Sequence, residues 1–173
     1  MSALDPQPLC LLVEGEVGPW RGLALDHDQL PECLGPVVHT GTRRFAPAIL
    51  ASETHRPPSG RAEVDVYWWI NGGRVDLVDV RFTMPLSAEP LLCELGEPET
   101  AFRKADELRR AWNLQAPAGT SLEEAIYPSR GLSLVLARDA EGGATLLRLR
   151  GFRPMPAKRY VTDYLRPVFE SFD

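Results

Sequence analysis

The sequence predicts an α+β protein in which two tandem αββ-type repeats form one antiparallel sheet with helices packed on one face. Three observations lead to this prediction. A phrase typical of a short helix occurs twice, and each copy precedes two apolar runs with the spacing of a β-hairpin. The chain of 173 residues also contains 14 Gly and 16 Pro, which indicates many turns between short elements.

Two short helices are predicted from matching signals at their ends. The first begins at Asp28, which can cap the helix, and ends at Gly35, which can adopt the left-handed conformation of a helix end. The second begins at Ser87 and ends at Gly96 in the same way. Each has a proline in its first turn, where the missing N–H costs little. The match indicates that the two phrases are copies of one unit.

Each predicted helix is followed by a predicted β-hairpin. Residues 63–70 and 75–83 flank an Asn-Gly-Gly turn, and residues 131–137 and 144–152 flank a turn that ends in Gly-Gly. Asn-Gly is a strong short-range signal for a tight hairpin loop. Hairpins pair antiparallel strands, so two hairpins side by side would form one antiparallel sheet.

The predicted duplication divides the chain into a first repeat at residues 1–86 and a second at residues 87–173, both within one compact domain. The first repeat includes an N-terminal strand at residues 9–14. In the second repeat, apolar residues recur every three to four positions over residues 98–112, which predicts a longer inserted helix. A C-terminal helix is predicted around Tyr160.

Two connecting segments are predicted not to be strands. Residues 46–60 contain Ala-Pro and Pro-Pro-Ser-Gly, and they are predicted to be irregular. Residues 121–124 read Ser-Leu-Glu-Glu, a pattern that can cap one further helical turn. Both segments lie between a predicted helix and its hairpin, where connections vary most.

The phrase from Gly22 to Leu30, followed by Leu34-Gly35-Pro36 and then a hairpin, resembles the repeat of the BamE-like and beta-lactamase-inhibitor-protein-like group. Repeats of that group carry a short helix that is closed by a Leu-Gly-x-Pro type turn and is followed by antiparallel strands. Two tandem copies would cover most of residues 9–154. The resemblance implies a non-catalytic protein that binds other polypeptides across its sheet, and it implies no particular binding residues.

The charge balance limits the classes of partner. The formal net charge of −5 arises within residues 1–90, which hold seven Arg and twelve acidic residues, whereas residues 91–173 are neutral. Nucleic-acid binding needs a basic surface that displaces counterions. We therefore expect no nucleic-acid partner, and we expect a partner that contacts the first half to be neutral or basic there.

The sequence also predicts a cytoplasmic protein. No apolar run approaches the roughly 20 residues of a membrane-spanning helix. The first residues lack the basic and apolar parts of a secretion signal. The 3 cysteines are an odd number, which is typical of reduced thiols in the cytoplasm. No membrane partner is expected.

The sequence lacks the patterns of a catalytic or cofactor site. The histidines His27, His39 and His55 do not have the spacing of metal ligands, and there is neither a Cys-x-x-Cys pair nor a Gly-rich phosphate loop. We expect no catalytic residue, no metal and no cofactor. The prediction is that the protein is not an enzyme.

Aromatic and arginine residues in the predicted strands are the candidate binding residues. Tyr67 and Trp69 share one face of the first hairpin, Arg81 follows on its return strand, and Arg148 and Arg150 lie on the corresponding strand of the second hairpin. Tyr, Trp and Arg anchor protein interfaces because they combine large buried area with directed polar groups. These five residues are predicted to bind a partner. The alternative is that Tyr67 and Trp69 complete the core.

The sequence thus favours a small binding module that recognises a peptide or protein partner through its sheet face or an edge strand, in an accessory, inhibitor or immunity-type role. The same edge could join two copies of the chain in a homodimer. One alternative is an enzyme or small-molecule-binding protein with a pocket between sheet and helices, lined by Trp68, Trp112 and Tyr127, with Arg130 holding an anion. A second alternative is a structural or assembly subunit.

Overall fold

One antiparallel sheet forms most of the structure, a computed structural model that describes residues 28, 30, 32–45, 48–58, 60–103 and 116–165. Eight strands pair within these residues. In chain order they are β1 (Val37–Phe45), β2 (Ala48–His55), β3 (Ala62–Trp69), β4 (Val75–Ser87), β5 (Thr100–Phe102), β6 (Ser121–Tyr127), β7 (Leu132–Arg138) and β8 (Ala144–Phe152).

The sheet consists of two four-stranded meanders that meet in its middle. The strand order is β1-β2-β3-β4-β8-β7-β6-β5, so each strand pairs with its neighbour in the chain within a meander. The two halves join through the antiparallel pair β4–β8, where Asp79 lies opposite Arg150 and Arg81 lies opposite Arg148. This order leaves β1 and β5 as the two edge strands of the described sheet.

The two predicted hairpins are confirmed. Strands β3 and β4 pair across residues 70–74, and β7 and β8 pair across residues 139–143. Local turn chemistry and alternating side chains were sufficient to locate them, because the partners of each strand lie close in the sequence.

The predictions for the connecting segments are wrong. Residues 46–60 were expected to be irregular, but they contain β2, which pairs with both β1 and β3. Residues 121–124 were expected to be helical, but they begin β6, which pairs with β5 and β7. Pairing with neighbouring strands supplies more backbone hydrogen bonds than one capped helical turn, so tertiary context decides these segments.

The described helices are short. Helix α1 spans Glu89–Leu95, and helix α2 spans Ala157–Tyr160 and continues as a π-helical turn at Val161–Leu165. They confirm the predicted second short helix and the predicted C-terminal helix. Of the predicted first helix, the described residues contain a 3₁₀ turn at Glu32–Leu34, and residues 29 and 31 lie outside them. A further 3₁₀ turn occupies Pro128–Arg130.

The predicted fold class, α+β with helices packed on one face, is wrong. The sheet dominates, and the short helices pack on opposite faces. Leu91 and Leu95 of α1 belong to the core on what we call the apolar face, which is built from residues such as Val64, Val66, Val78, Val80, Leu134, Leu136 and Leu149. Tyr160 of α2 packs on the other face, which we call the mixed face, with Leu50, Tyr67, Leu77, Ile126 and Phe152.

The prediction of αββ units is also wrong, because in each half of the chain four strands, rather than two, follow the helical turn. The similar path of the two halves is compatible with a duplication, but the duplication, its resemblance to a known group and the boundary at residues 86 and 87 stay predictions. The N-terminal strand at residues 9–14 lies outside the described residues. Of the inserted helix over residues 98–112, the described part contains strand β5, and residues 104–112 lie outside.

Gly131 provides a test of the packing between the two ends of the second hairpin. It follows the 3₁₀ turn with a φ of 69°, and a Cβ at this position would collide with the carbonyl oxygen of Phe152. We expect Gly131→Ala to lower the free energy of unfolding by roughly 2–4 kcal/mol, measured by urea denaturation.

Gly73→Ala is the matched control, because Gly73 has a φ of 67° but no atom within 4 Å of an added Cβ. It should cost only about 1 kcal/mol from the left-handed backbone. Equal losses in the two variants would show that the collision with Phe152 does not contribute.

Candidate partner-binding site

A row of polar side chains crosses the mixed face. In the strand register, Thr54 lies opposite Asp65, Asp65 opposite Asp79, Asp79 opposite Arg150, and Arg150 opposite Ser133. Directly paired positions project to the same face about 5 Å apart, so neighbouring members of the row can contact one another. The row links five adjacent strands across the junction of the two meanders.

Asp79 is the centre of this row and binds two arginines. Arg148 donates through Nε to Oδ1 at 3.1 Å and through Nη2 to Oδ2 at 2.6 Å, and Arg150 Nη2 donates to Oδ2 at 3.3 Å. All three side chains are buried, with exposed fractions of 1% for Asp79, 5% for Arg148 and 3% for Arg150. The two strands that join the halves of the sheet are therefore connected by a buried, charge-assisted contact.

Tyr160 connects α2 to the same network. Its hydroxyl donates to Glu124 Oε1 at 2.6 Å and accepts from Arg150 Nη1 at 3.3 Å, while Ser133 Oγ donates to Glu124 Oε1 at 2.8 Å. The Tyr160 ring packs on Phe152, with ring centroids 4.5 Å apart. A continuous series of hydrogen bonds thus connects β4, β8, α2 and β6.

Burial and this network shift two pKa values. Burial, reinforced by the nearby Glu124 carboxylate, raises the pKa of Tyr160 well above its ordinary value. Burial alone would lower the pKa of Arg150, but the acidic groups of Tyr160, Asp79 and Glu124 offset it, so the Arg150 pKa is raised. Tyr160 is consequently held neutral and Arg150 charged.

Arg81 forms a second, more exposed cluster at the end of the row. Its guanidinium lies 3.2 Å from Asp65 Oδ2 and 3.1 Å from Glu63 Oε2, and its side chain is 39% exposed. Thr54 Oγ1 donates to Asp65 Oδ1 at 2.6 Å, and Arg56 donates to Glu63 at 2.8 Å. The hydrogen bond from Arg56 lowers the pKa of Glu63, although burial opposes it and the charge of Arg81 adds to it.

The five predicted partner-binding residues separate by exposure. Tyr67 is 5% exposed and, like Arg148 and Arg150, faces the interior of the mixed face. Trp69 is 44% exposed, with its Nε1 donating to Asp76 Oδ1 at 3.3 Å. The prediction that all five bind a partner stays a prediction, and in this conformation Trp69 and Arg81 are the members that solvent reaches most readily.

The exposed edge strand β1 is a candidate site that the sequence reasoning missed. Residues 36–42 are all exposed, and Val37 and Val38 each retain 45% of their accessible surface. A signal was present: β-branched residues are concentrated between Pro36 and Pro47, and such residues favour strands.

The pattern of hydrogen bonds between β1 and β2 determines which backbone groups of β1 face away from β2. Arg56 N donates to Pro36 O at 3.1 Å, so this pair is hydrogen-bonded. Such positions alternate along an antiparallel pair. After the irregularity between Val37 and His39, Thr40 opposite Glu53 and Thr42 opposite Ala51 occupy the non-bonded positions. Their N–H and C=O groups point away from β2, toward the open side of the sheet.

In the part of the chain that the structure describes, no group of three or more His, Cys, Asp or Glu is placed to hold a metal ion. No helix in that part is long and apolar enough to cross a membrane. No protein-family model, curated protein or solved structure matches the chain.

The buried contact of Asp79 predicts a large effect on stability. We expect Asp79→Ala to lower the free energy of unfolding by about 3–5 kcal/mol, because it leaves Arg148 and Arg150 buried without their carboxylate. Urea denaturation followed by circular dichroism measures this loss. As the control, Asp163→Ala removes a surface partner of Arg159 at 3.1 Å and should cost under about 0.5 kcal/mol. Similar losses would contradict the structural importance of Asp79.

Tyr160→Phe should destabilise the protein in a pH-dependent way. At pH 7 we expect a loss of about 1–3 kcal/mol, since Glu124 and Arg150 lose a buried partner. Because burial raises the pKa of Tyr160, the folded protein favours the protonated hydroxyl. The stability that this hydroxyl contributes is therefore complete at pH values below 10.0, the ordinary pKa of tyrosine. It declines at higher pH, where the tyrosine of the unfolded chain ionises. Urea denaturation between pH 8 and pH 11 should show the two proteins converging.

Thr162→Val is the control for Tyr160→Phe, because it removes an exposed hydroxyl that donates to Lys158 O at 3.0 Å on the same helical segment. It should have a small, pH-independent effect. A difference between wild type and Tyr160→Phe that stays constant up to pH 11 would contradict the role of the tyrosine proton.

Proposed function

We propose that this protein is a non-catalytic binding module that holds an extended segment of a polypeptide partner as an additional strand beside β1. The observation that carries the proposal is the nine-residue edge strand Val37–Phe45, whose outward N–H and C=O groups at Thr40 and Thr42 are free of the β1–β2 ladder. Strand addition uses such groups for affinity and the alternating side chains for selectivity.

The difference between the two edges supports this proposal. Proteins usually protect sheet edges, and one means is to keep the edge strand very short. The edge strand β5 has three residues, Thr100–Phe102, whereas β1 is longer than the usual 5–6 residues of a strand. Within the described sheet, only the β1 side has a long strand with a run of exposed residues, 37–42, as expected when an edge is kept open for pairing.

The rest of the sheet gives β1 a rigid support. Strand β2 pairs with β1 along its length and with β3 on its other side, and β3 and β4 are fixed by the core and by the network around Asp79. A preformed edge loses little conformational entropy when it binds, which favours affinity.

Trp69 lies close enough to contribute to the same site. It is opposite Leu50, and Leu50 is opposite Arg43 in β1. With neighbouring strands about 4.8 Å apart, Trp69 is about 10 Å from the edge strand. A partner segment that extends beyond the end of β1 would be able to contact this half-exposed ring.

Proline substitution tests the proposal. Thr40→Pro/Thr42→Pro removes the two outward N–H donors and leaves the inward ladder to β2 in place, because proline is tolerated at edge positions whose N–H faces solvent. Thr40→Val/Thr42→Val is the control, since it retains the N–H groups and the side-chain shape. Peptides selected on wild type from a displayed library of random dodecapeptides should bind the proline variant about tenfold more weakly and the valine variant with unchanged affinity.

Both variants should unfold in urea near the wild-type midpoint, which shows that the sheet is intact. Selected peptides that bind the proline variant as tightly as wild type would contradict strand addition at β1. Light scattering distinguishes partner binding from self-association. If wild type is a dimer and the proline variant is a monomer, the edge serves to join two copies of the chain, which would overturn the proposal.

A further inference from the structure

Gly41 lies in the middle of the edge strand β1, where a glycine is unfavourable. Glycine in the interior of a strand loses more backbone entropy than other residues and contributes no side chain to packing. Where it is found in a strand, it usually serves a positive φ, a bulge, or the close approach of a ligand or another chain. We therefore expect one of these three reasons to hold at Gly41.

The first two reasons do not hold. Gly41 has no positive φ, and the register from His39 to Phe45 has no shift that would mark a bulge. In the part of the chain that the structure describes, a Cβ added at Gly41 would meet only Ser52 Oγ at 3.5 Å and His39 Nε2 at 3.6 Å, which are ordinary van der Waals distances. Gly41 is also exposed, so the remaining reason is the approach of another group.

The position of Gly41 is the one that an added strand approaches most closely. Thr40 and Thr42 carry the outward N–H and C=O groups, so an antiparallel segment that bonds to both places one residue directly opposite Gly41. Such a pair is not hydrogen-bonded, and its Cα atoms approach to about 4.5 Å. The missing side chain of Gly41 therefore determines how much space this partner residue has.

That space extends across the edge of the mixed face. Gly41 lies opposite Ser52, and Ser52 lies opposite Tyr67 of the mixed face, so the three positions project to the same side of the sheet. His39 is exposed and Ser52 is half-buried. We call the space above Gly41, bordered by His39 and Ser52, the Gly41 gap.

An aromatic ring is the side chain that suits the Gly41 gap. Aromatic residues stabilise sheets by covering an edge glycine on the neighbouring strand. A ring on the added strand is long enough to cross β1, which is about 4.8 Å away, whereas Val, Ile and Thr branch close to their own backbone. Long flexible side chains such as Met and Lys lose more rotamer freedom when they are ordered. The Ser52 hydroxyl and the His39 imidazole also match the polar edge of a tyrosine.

We propose that the partner segment beside β1 places an aromatic residue opposite Gly41, with its ring over the glycine and against His39 and Ser52. This inference rests on the proposed strand addition and specifies the central residue of the partner. Gly41 is then the specificity-determining residue of the edge.

A double-mutant cycle between protein and peptide provides the test. Peptides selected on wild type from the random dodecapeptide library should contain an aromatic residue whose replacement by alanine weakens binding about tenfold. Gly41→Thr fills the gap and should weaken the original peptide by about the same factor, but it should bind the alanine peptide within about twofold of wild type. Aromatic residues are common at interfaces in general, so this coupling decides the question.

Stability and two further variants provide the controls. Because the fold does not require a glycine at this position, Gly41→Thr should unfold in urea at or above the wild-type midpoint. Gly41→Ala adds one methyl group to the gap and should weaken binding about threefold, and it replaces Gly41→Thr if that variant unfolds earlier. Gly72→Ala adds the same group at an exposed turn, with no atom within 4 Å of the new Cβ, and should bind every peptide like wild type.

The outcomes separate this inference from the proposed function. Peptides that are blocked by Thr40→Pro/Thr42→Pro but lack an aromatic residue, or that bind Gly41→Thr and Gly41→Ala as tightly as wild type, would overturn the aromatic contact and leave strand addition intact. Losses that add independently in the cycle would do the same, because the aromatic residue would then lie elsewhere. Peptides that bind the proline variant normally would overturn both proposals, and so would a library that yields no binding peptide.

Discussion

The contact of Asp79 with Arg148 and Arg150 is the interaction on which the architecture depends. It lies at the one strand pair that joins the two meanders, and each arginine is about seventy residues from Asp79 in the sequence. Removing charges from water is costly, and the cost is recovered only when geometry and further hydrogen bonds are good. Tyr160 and Glu124 supply those further bonds on the far side. The two halves of the chain thus form one sheet with a defined register.

The two faces of the sheet have different roles in this arrangement. The apolar face buries aliphatic side chains and supplies most of the hydrophobic stabilisation. The mixed face uses a polar row to specify which strands meet, because hydrogen-bonded charges tolerate little change of position. Arg148 and Arg150, two of the five predicted binding residues, are buried within this arrangement. Their effect on the edge strand is to hold its supporting strands in place.

Much of the fold could be predicted from local signals, and the remainder depends on contacts distant in sequence. The hairpins on either side of Gly72 and Gly142 are predictable because a tight turn and its strands are contiguous. Strand β6 is not predictable in this way, because Ser121–Glu124 also matches a helix cap. Only its pairing with β7 decides between a helical turn and a strand. Strand β1 lacks apolar alternation, and among the described residues no element buries residues 37–42, which also makes this strand a candidate site. The burial of Arg148 depends on Asp79, which no spacing in the sequence reveals.

The unequal edges have a consequence for stoichiometry. A sheet with two long open edges can grow in both directions and form filaments, whereas a sheet with one open edge accepts a single addition. In the described sheet, a strand placed on β1 would become the new outer strand, and the three-residue β5 at the opposite side offers too short a ladder for a second. Each copy of the protein would therefore hold one partner strand, and only beside β1.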